Sequence, residues 1–279
     1  MFSPISNTTF SYILSLGRFR DEFVTAIKPS WVKITTITMI SKLKYEIDID
    51  TIRKYIADNG SFYVGKGTHY YKWKLKTNKF YNQITMTFKD RFSTKSIKLF
   101  PNGSVQVAGC ADLFDCKRVI DQITIVLKEL TDQDNEPIQD FRVVMINTNF
   151  STNYSLNLYE LVDHFSANSL FDVSFDPDRY SAVKIKFKPA QDMKYITVSV
   201  FCTGRVIITG AENLKEIAYT YNIINRHINK NPNIKVSPSP VIDVYDQFCG
   251  YNVNDLIDYI SKQGFRPWGY TQGNYKINF

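Results

Sequence analysis

The sequence predicts an α+β protein made of two imperfect copies of one strand-and-helix unit, and three observations carry that reading. Residues 95–111, KSIKLFPNGSVQVAGCA, are echoed by residues 196–212, ITVSVFCTGRVIITGAE, with Phe100 and Phe201, Gly103 and Gly204, and Gly109 and Gly210 each 101 positions apart. Three coincidences at one offset define an internal repeat, which is sought first because it decides the architecture. Polarity alternates up to each Phe and resumes after a Pro-Asn-Gly or Cys-Thr-Gly turn, the pattern of a β-hairpin. A helical stripe follows each hairpin: Leu113, Val119, Ile120, Ile123 and Leu127 in the first copy, and Leu214, Ile217, Tyr221 and Ile224 in the second.

Upstream the copies open alike. Val32 to Ser41 reads as a strand and Asp48 to Ala57 as a helix, matched by a strand from Phe141 to Asn149 and a helix from Leu158 to Phe165. A further strand follows in each, Asn82 to Lys89 and Ala182 to Lys188. The order is strand, helix, three strands, long helix, twice. The predicted divisions are residues 1–29 as an N-terminal extension, 30–131 and 141–231 as the copies, and 232–279 as a C-terminal extension.

Side chains alternate across a strand, so parity sorts each strand into two faces. Ile84, Met86, Phe88, Ile97, Leu99, Val105 and Val107 fall on one face of the first copy, and Val183, Ile185, Phe187, Val198, Val200, Val206 and Ile208 on one face of the second. These are the expected core beneath the helices. The opposite face carries Tyr81, Thr85, Thr87, Lys98, Phe100, Gln106 and Ala108 in the first copy; in the second it carries Ala182, Lys184, Lys186, Lys188, Ser199, Phe201, Arg205, Ile207 and Thr209. Its lysines and Arg205 suit phosphate contacts, which give salt-dependent affinity with little sequence choice.

Composition narrows the function. Hydrophobic residues make up 44% and charged residues 22%, as in a globular protein. A net charge of +7 points to a polyanionic partner. No run reaches the ~18–20 apolar residues of a membrane span, and no membrane partner is expected. Cys110, Cys116, Cys202 and Cys249 form no CxxC pair and His69, His164 and His227 are far apart, so buried reduced thiols are expected and no metal; His164, beside Asp163, is expected at the surface. GxSxG, Walker A, HExxH and GxGxxG are all absent. No catalytic residue, cofactor or small-molecule substrate is predicted.

At FCTGRVIITGAENLKEI, residues 201–217, and FDPDRY, residues 175–180, with FPNGSVQVAG from Phe100 as a weaker copy, the sequence resembles the TATA-box-binding protein family in the diverged form carried by large DNA viruses. The resemblance spans about Trp31 to Asn231. It implies a pseudo-twofold saddle, one curved antiparallel sheet with helices on its convex face, and a non-enzymatic initiation factor that binds and bends AT-rich double-stranded promoter DNA through the minor groove. It also implies a IIB-like factor and RNA polymerase as partners, and action in the nucleus or in a viral factory in the host cytoplasm, with packaging in the virion as a further expectation. Phe100 and Phe201 resemble the family's wedge phenylalanines, with Tyr81 and Tyr180 where each wedge's partner is expected. Asp176, Pro177, Asp178 and Arg179 match the acidic loop that receives the IIB-type factor, with Arg179 where the family has leucine.

There are departures. Thr36 and Thr38, and Met145 and Asn147, stand where the family's first strands carry an asparagine and a valine that read the central base pairs. Gln106 and Ala108 replace a valine and a threonine, whereas Ile207 and Thr209 keep that kind of pair. Minor-groove readout mostly separates A·T from G·C, so a looser consensus is expected rather than no binding. A second reading is a saddle kept for protein contact without DNA binding. Residues 59–80 are expected as a loop touching phosphate or a partner, or else as an exposed hairpin. SPSP, residues 237–240, reads as a linker, and Val253 to Ile260 as a short helix before an aromatic end.

Overall fold

The structure, a computed structural model, describes residues 27–239 except 60, 65–70, 77–81, 90–93, 111–112 and 133–136, and also residues 247–248 and 251–252. Among these the chain forms two compact units. The first runs Thr36–Val144; the second begins at Met145 and also takes in residues up to Thr35.

The first unit follows the predicted order with two strands added. It contains β1 (Lys33–Leu43), α1 (Ile49–Asn59), β2 (Ser61–Val64), β3 (Tyr71–Lys76), β4 (Ile84–Lys89), β5 (Thr94–Leu99), β6 (Ser104–Cys110) and α2 (Leu113–Thr131). Its strands lie in the order β2-β3-β4-β5-β6-β1, each antiparallel to its neighbours. β7 (Pro137–Ser151) passes from the first unit into the second at Met145, and the second unit goes on with β8 (Tyr154–Leu156), α3 (Leu158–Ser166), β9 (Asp172–Asp176), β10 (Tyr180–Phe187), β11 (Ile196–Phe201), β12 (Arg205–Ala211) and α4 (Leu214–Lys230). Its sheet order is β7-β12-β11-β10-β9. The predicted α+β class holds: antiparallel strands backed by helices.

The copies coincide at the level of single hydrogen bonds. Asp48 caps α1 through bonds from the Asp50 and Thr51 amides at 3.2 and 3.0 Å. Asn157, 109 residues later, caps α3 through the Tyr159 and Glu160 amides at 3.1 and 3.4 Å. Both first strands meet the hairpin across the same β-bulge: Ile37 opposes Cys110 and Thr38 opposes Ala108, while Ile146 opposes Ala211 and Thr148 opposes Ile208. The extra residue coincides with Gly109 and Gly210, at φ +92° and +95°, a backbone conformation that side-chain-bearing residues rarely adopt.

The parity-predicted core is sealed. Every inward residue named above, from Ile84 to Val107 and from Val183 to Ile208, is buried, as are Val119, Ile120, Ile123 and Leu127 of α2 and Leu214, Ile217, Tyr221 and Ile224 of α4. α2 packs on β6 and α4 on β12. Among the described strand residues one charged side chain breaks the apolar rule. Lys95 is 0% exposed on the sealed face of the first unit, where the second has Ile196. Its ammonium lies 3.0 Å from Asp115 Oδ1 on α2, which Arg118 also meets at 2.6 Å.

Several expectations change. Within residues 59–80 the hairpin reading holds and the loop reading does not: β2 and β3 pair with each other, and β3 continues the sheet beside β4. The second unit passes its predicted end at 231, because Pro232–Ile234 forms a 3-10 turn and β13 (Lys235–Pro238) pairs with β8. The start of SPSP is therefore strand rather than linker. Lys28 lies in the predicted N-terminal extension, yet its carbonyl accepts a 2.7 Å bond from Asn153 Nδ2; the Ser30 carbonyl accepts a 2.9 Å bond from the Tyr221 hydroxyl. The predicted helix at Val253 to Ile260 and the aromatic end lie outside the described residues. β14 (Gln247–Phe248) and β15 (Tyr251–Asn252) form a separate short pair. Cys110 and Cys116 are buried, but Cys202 is exposed because it occupies the hairpin turn; Cys249 is outside the described residues.

His164 is half-buried rather than a surface residue. Its Nε2 lies 3.1 Å from His227 Nδ1, since α3 and α4 bring together rings 63 residues apart, with Phe165 and Phe171 against His227.

Asp115→Ala leaves the buried Lys95 ammonium without that carboxylate and should lower the unfolding free energy by about 3–5 kcal/mol. Lys95→Ile, which copies the second unit and leaves Asp115 with Arg118, should change it by less than about 1.5 kcal/mol; urea titration of both variants checks the contrast. Burial, then the neighbouring His164 and Lys230, hold the His227 imidazole below its ordinary value. Folding therefore favours neutral His227, so its contribution is complete above about pH 6.5 and is lost as pH falls toward the lowered folded value. His227→Gln should flatten the fall in melting temperature between about pH 7 and 5 relative to the parent protein.

Candidate nucleic-acid interface

The two hairpin turns set the corners of the open faces. In the first unit the Phe100 amide bonds to the Ser104 carbonyl and the Gly103 amide to the Phe100 carbonyl, both at 3.0 Å; the Gly204 amide bonds to the Phe201 carbonyl at 2.9 Å. Gly103 and Gly204 sit at φ +82° and +79°. Each turn is then tied to the end of its unit's first strand. The Gly103 and Pro101 carbonyls accept from the Leu43 and Ile47 amides at 2.8 and 2.9 Å. The Gly204 and Cys202 carbonyls accept from the Thr152 and Leu156 amides at 2.9 and 2.7 Å. Hairpin positions are thus related by 101 residues and first-strand positions by 109, so the extra length of the first copy lies between its first strand and its hairpin. The offset of 109 also relates Thr36 to Met145 and Thr38 to Asn147.

Phe100 and Phe201 are half-buried at equivalent corners. Tyr180, 40% exposed, stands beside Phe201 with ring centroids 5.8 Å apart and planes at 70°. Lys184 places its ammonium 4.8 Å from the Tyr180 centroid. Tyr81 lies outside the described residues.

Across the second unit, register places Lys184 beside Ser199 and Lys186 beside Thr197, then Ser199 beside Ile207 and Thr197 beside Thr209, with Ile207 opposite Asn149 and Arg205 opposite Ser151. Lys184, Lys186 and Arg205 are exposed; Ile207, Thr209, Met145 and Asn147 are half-buried. In the first unit Thr85 is beside Lys98, Lys98 beside Gln106, and Gln106 beside Ile40. Thr36, Thr87, Lys98 and Gln106 are half-buried.

Not every residue of this face is open. Thr38, Thr85 and Ser199 are 3%, 5% and 9% exposed, and Ala182 is buried too. For three of them the cause is size: Thr85, Ser199 and Ala182 are short side chains within the sheet next to a longer cross-strand neighbour, Lys98, Lys184 and Phe201 in turn. Lysine, glutamine and aromatic side chains reach past the sheet surface; hydroxyls form its floor.

Asp176, Pro177, Asp178 and Arg179 form the exposed turn between β9 and β10, closed by the Arg179 amide on the Asp176 carbonyl at 3.1 Å. The open face also holds Tyr195, 59% exposed, with Lys186 and Lys188 at 5.4 and 5.1 Å from its ring centroid. Tyr195 lies one residue ahead of the repeated segment that opens at Ile196 and so outside the pattern that marks the hairpin. Its parity with Thr197, Ser199 and Phe201 was the available signal.

Fold and faces together define a class: a repeated α+β sheet protein in which each copy seals one face under helices and leaves the other to cations, hydroxyls and rings. Comparison with known proteins makes the class specific. Residues 140–231 match the family described as transcription factor TFIID, or TATA-binding protein (TBP). A TATA-box-binding protein-like protein of Acanthamoeba polyphaga mimivirus is 28% identical over 254 residues, which cover 74% of this chain and 68% of that protein. The fold is similar to that of Methanococcus jannaschii TBP, with a TM-score of 0.50 at 15% identity, covering 72% of this chain and 99% of that one. The chain is thus similar to TATA-binding proteins, and the match to the family's model falls on its second copy.

The corner geometry makes a specific demand on Gly204. A Cβ there would collide with the Tyr154 carbonyl oxygen and approach Thr152 Oγ1 to 2.6 Å, at a φ of +79°. Gly204→Ala should therefore cost more than about 2 kcal/mol, beyond the ~1–2 kcal/mol of the left-handed conformation alone. Gly204→Asn, which tolerates that conformation better, should not recover the loss; denaturant unfolding of the two variants checks this.

Proposed function

We propose that this protein is a TBP-like transcription initiation factor that binds and bends AT-rich promoter DNA through the minor groove and recruits a IIB-like factor and RNA polymerase. The observation that carries the reading is the equivalence of Phe100 and Phe201. Each stands at a glycine-turn corner of an open face, tied by the same main-chain bonds to the first strand of its unit. Apolar wedges at such corners enter a base step, and the few kcal/mol lost in unstacking are offset by the extra contact that a bent duplex allows.

The cations supply affinity. Lys98 in the first unit, and Lys184, Lys186 and Arg205 in the second, are positioned for phosphate, each neutralised phosphate contributing about 0.9 to the slope of log K against log salt. Hydroxyls and short polar groups on the floor favour loose readout, with selectivity drawn from how easily flexible steps such as TA deform. The exposed acidic turn at Asp176–Arg179 is the surface offered to a IIB-like factor. The nucleus, or a viral factory in the cytoplasm, is the place of action this role requires.

The reading is tested by bending. The parent protein should shift an AT-rich duplex at low salt and raise energy transfer between fluorophores at its ends. Phe100→Ala/Phe201→Ala should abolish the bend while its melting temperature stays within about 4 °C of the parent, a shift of roughly 1 kcal/mol. A parent protein that neither shifts nor bends such a duplex overturns the proposal and leaves a sheet used for protein contact.

A further inference from the structure

The last turns of α3 and α4 meet on the sealed side of the second unit's sheet. The Asn157 amide at the start of α3 bonds to the Ile234 carbonyl at 2.9 Å, and the 3-10 turn Pro232–Ile234 touches both helices. This arrangement brings His164 Nε2 to 3.1 Å from His227 Nδ1, with ring centroids 5.3 Å apart. At so short a nitrogen separation, that centroid distance means the rings meet edge to edge, each nitrogen aimed at the other.

The pair is held in place by packing. Phe165 and Phe171 flank the His227 ring, each with its centroid at 5.0 Å, and Phe171 in turn meets Phe187 of the sealed face. The separation fits more than a hydrogen bond. Two metal–imidazole bonds of about 2.0–2.1 Å, drawn from nitrogens 3.1 Å apart, converge at an angle of roughly 100°, within the range of tetrahedral and octahedral ions. Both histidines lie in the last turn of their helices, where free carbonyls make the end negative and favour a cation. Lys230 in the last turn of α4 opposes that field, and Glu160, one turn before His164 on the same side of α3, offsets Lys230. Both rings are half-buried, so water can complete a coordination shell. Among the described residues no third His, Cys, Asp or Glu joins the pair.

We propose that His164 Nε2 and His227 Nδ1 bind one divalent cation of the imidazole-preferring class, zinc, nickel or copper, with water in the remaining positions, and that the ion clamps α3 to α4. Magnesium and calcium, which take oxygen ligands, are rejected. In the metal-free pair one nitrogen donates its proton to the other. On binding, that proton moves to the far nitrogen of its own ring, leaving His164 protonated at Nδ1 and His227 at Nε2; the neutral pair releases no proton, and both lone pairs face the ion. Two protein ligands make this a site of modest affinity rather than a structural zinc centre, which uses four. The expectation of no metal rested on the 63 residues between the histidines, a separation that the fold closes.

The test uses the full chain, stripped with EDTA and dialysed at about pH 7.5, where imidazole is ordinarily neutral. It is melted with chlorides of zinc, nickel, magnesium or calcium. Zinc or nickel at about ten times its dissociation constant should raise the melting temperature by about 3–6 °C, and magnesium and calcium should leave it unchanged. Read against each variant's own metal-free melting point, the increment should vanish in His164→Gln and in His227→Gln. It should persist in His69→Gln and in Cys202→Ser, which remove other candidate ligands. Equimolar copper(II) on the parent protein should show two ring nitrogens by electron paramagnetic resonance, a measurement that decides the matter even where a histidine variant fails to fold. The site is overturned by no increment with zinc and nickel, by an equal increment with magnesium or calcium, by an increment that survives in either histidine variant or is lost in either control, or by a copper spectrum with fewer than two nitrogens.

Discussion

The left-handed glycine at each hairpin turn is the constraint on which the rest depends. Gly103 and Gly204 let the chain reverse where a side chain would strike a carbonyl, Tyr45 O in the first unit and Tyr154 O in the second. The reversed turn then presents its carbonyls to the end of the first strand. With that tie made, alternation leaves no freedom: Val105 and Val107, like Val206 and Ile208, face the helices, and Phe100 and Phe201 are held at the opposite corner. A one-residue slip would exchange the two faces and put the valines in water.

Where period and turn chemistry determine structure, the sequence was readable. Apolar residues at every second place specified the sealed face, and the glycine spacing specified the repeat. The caps at Asp48 and Asn157 emerged only with the fold. What escaped depends on meetings between distant residues. The position of Lys95 put it in step with Ile97 and Leu99, but nothing local said that Asp115, twenty residues on, would receive its charge. His164 and His227 met for the same reason, through the packing of two helices. The strand at Lys235–Pro238 was hidden by proline and serine, which read as linker; its partner is β8, a strand of three residues.

The candidate site was legible in part. Alternation placed Lys184, Lys186 and Arg205 on the open side, where they are exposed. It gave side but not depth. Thr85 and Ser199 share that side and are nevertheless covered, because a hydroxyl is shorter than the lysines beside it. The face is therefore two-tiered, with cations and rings above a floor of hydroxyl, amide and methyl groups. Such a surface suits long-range attraction first and shallow, permissive contact second. That matches Thr36 and Met145 at the two places where the resemblance leads one to expect asparagine.

The two offsets, 109 residues for first strands and 101 for hairpins, have a consequence for how such a chain tolerates change. Eight residues of net length have been gained upstream of the hairpin in one copy, yet the hydrogen bonds that fasten the turn are the same in both. Growth at the sheet margin is thus mechanically uncoupled from the corner. The margin can be lengthened, shortened or recharged while the bonds that fasten the turn are left as they are.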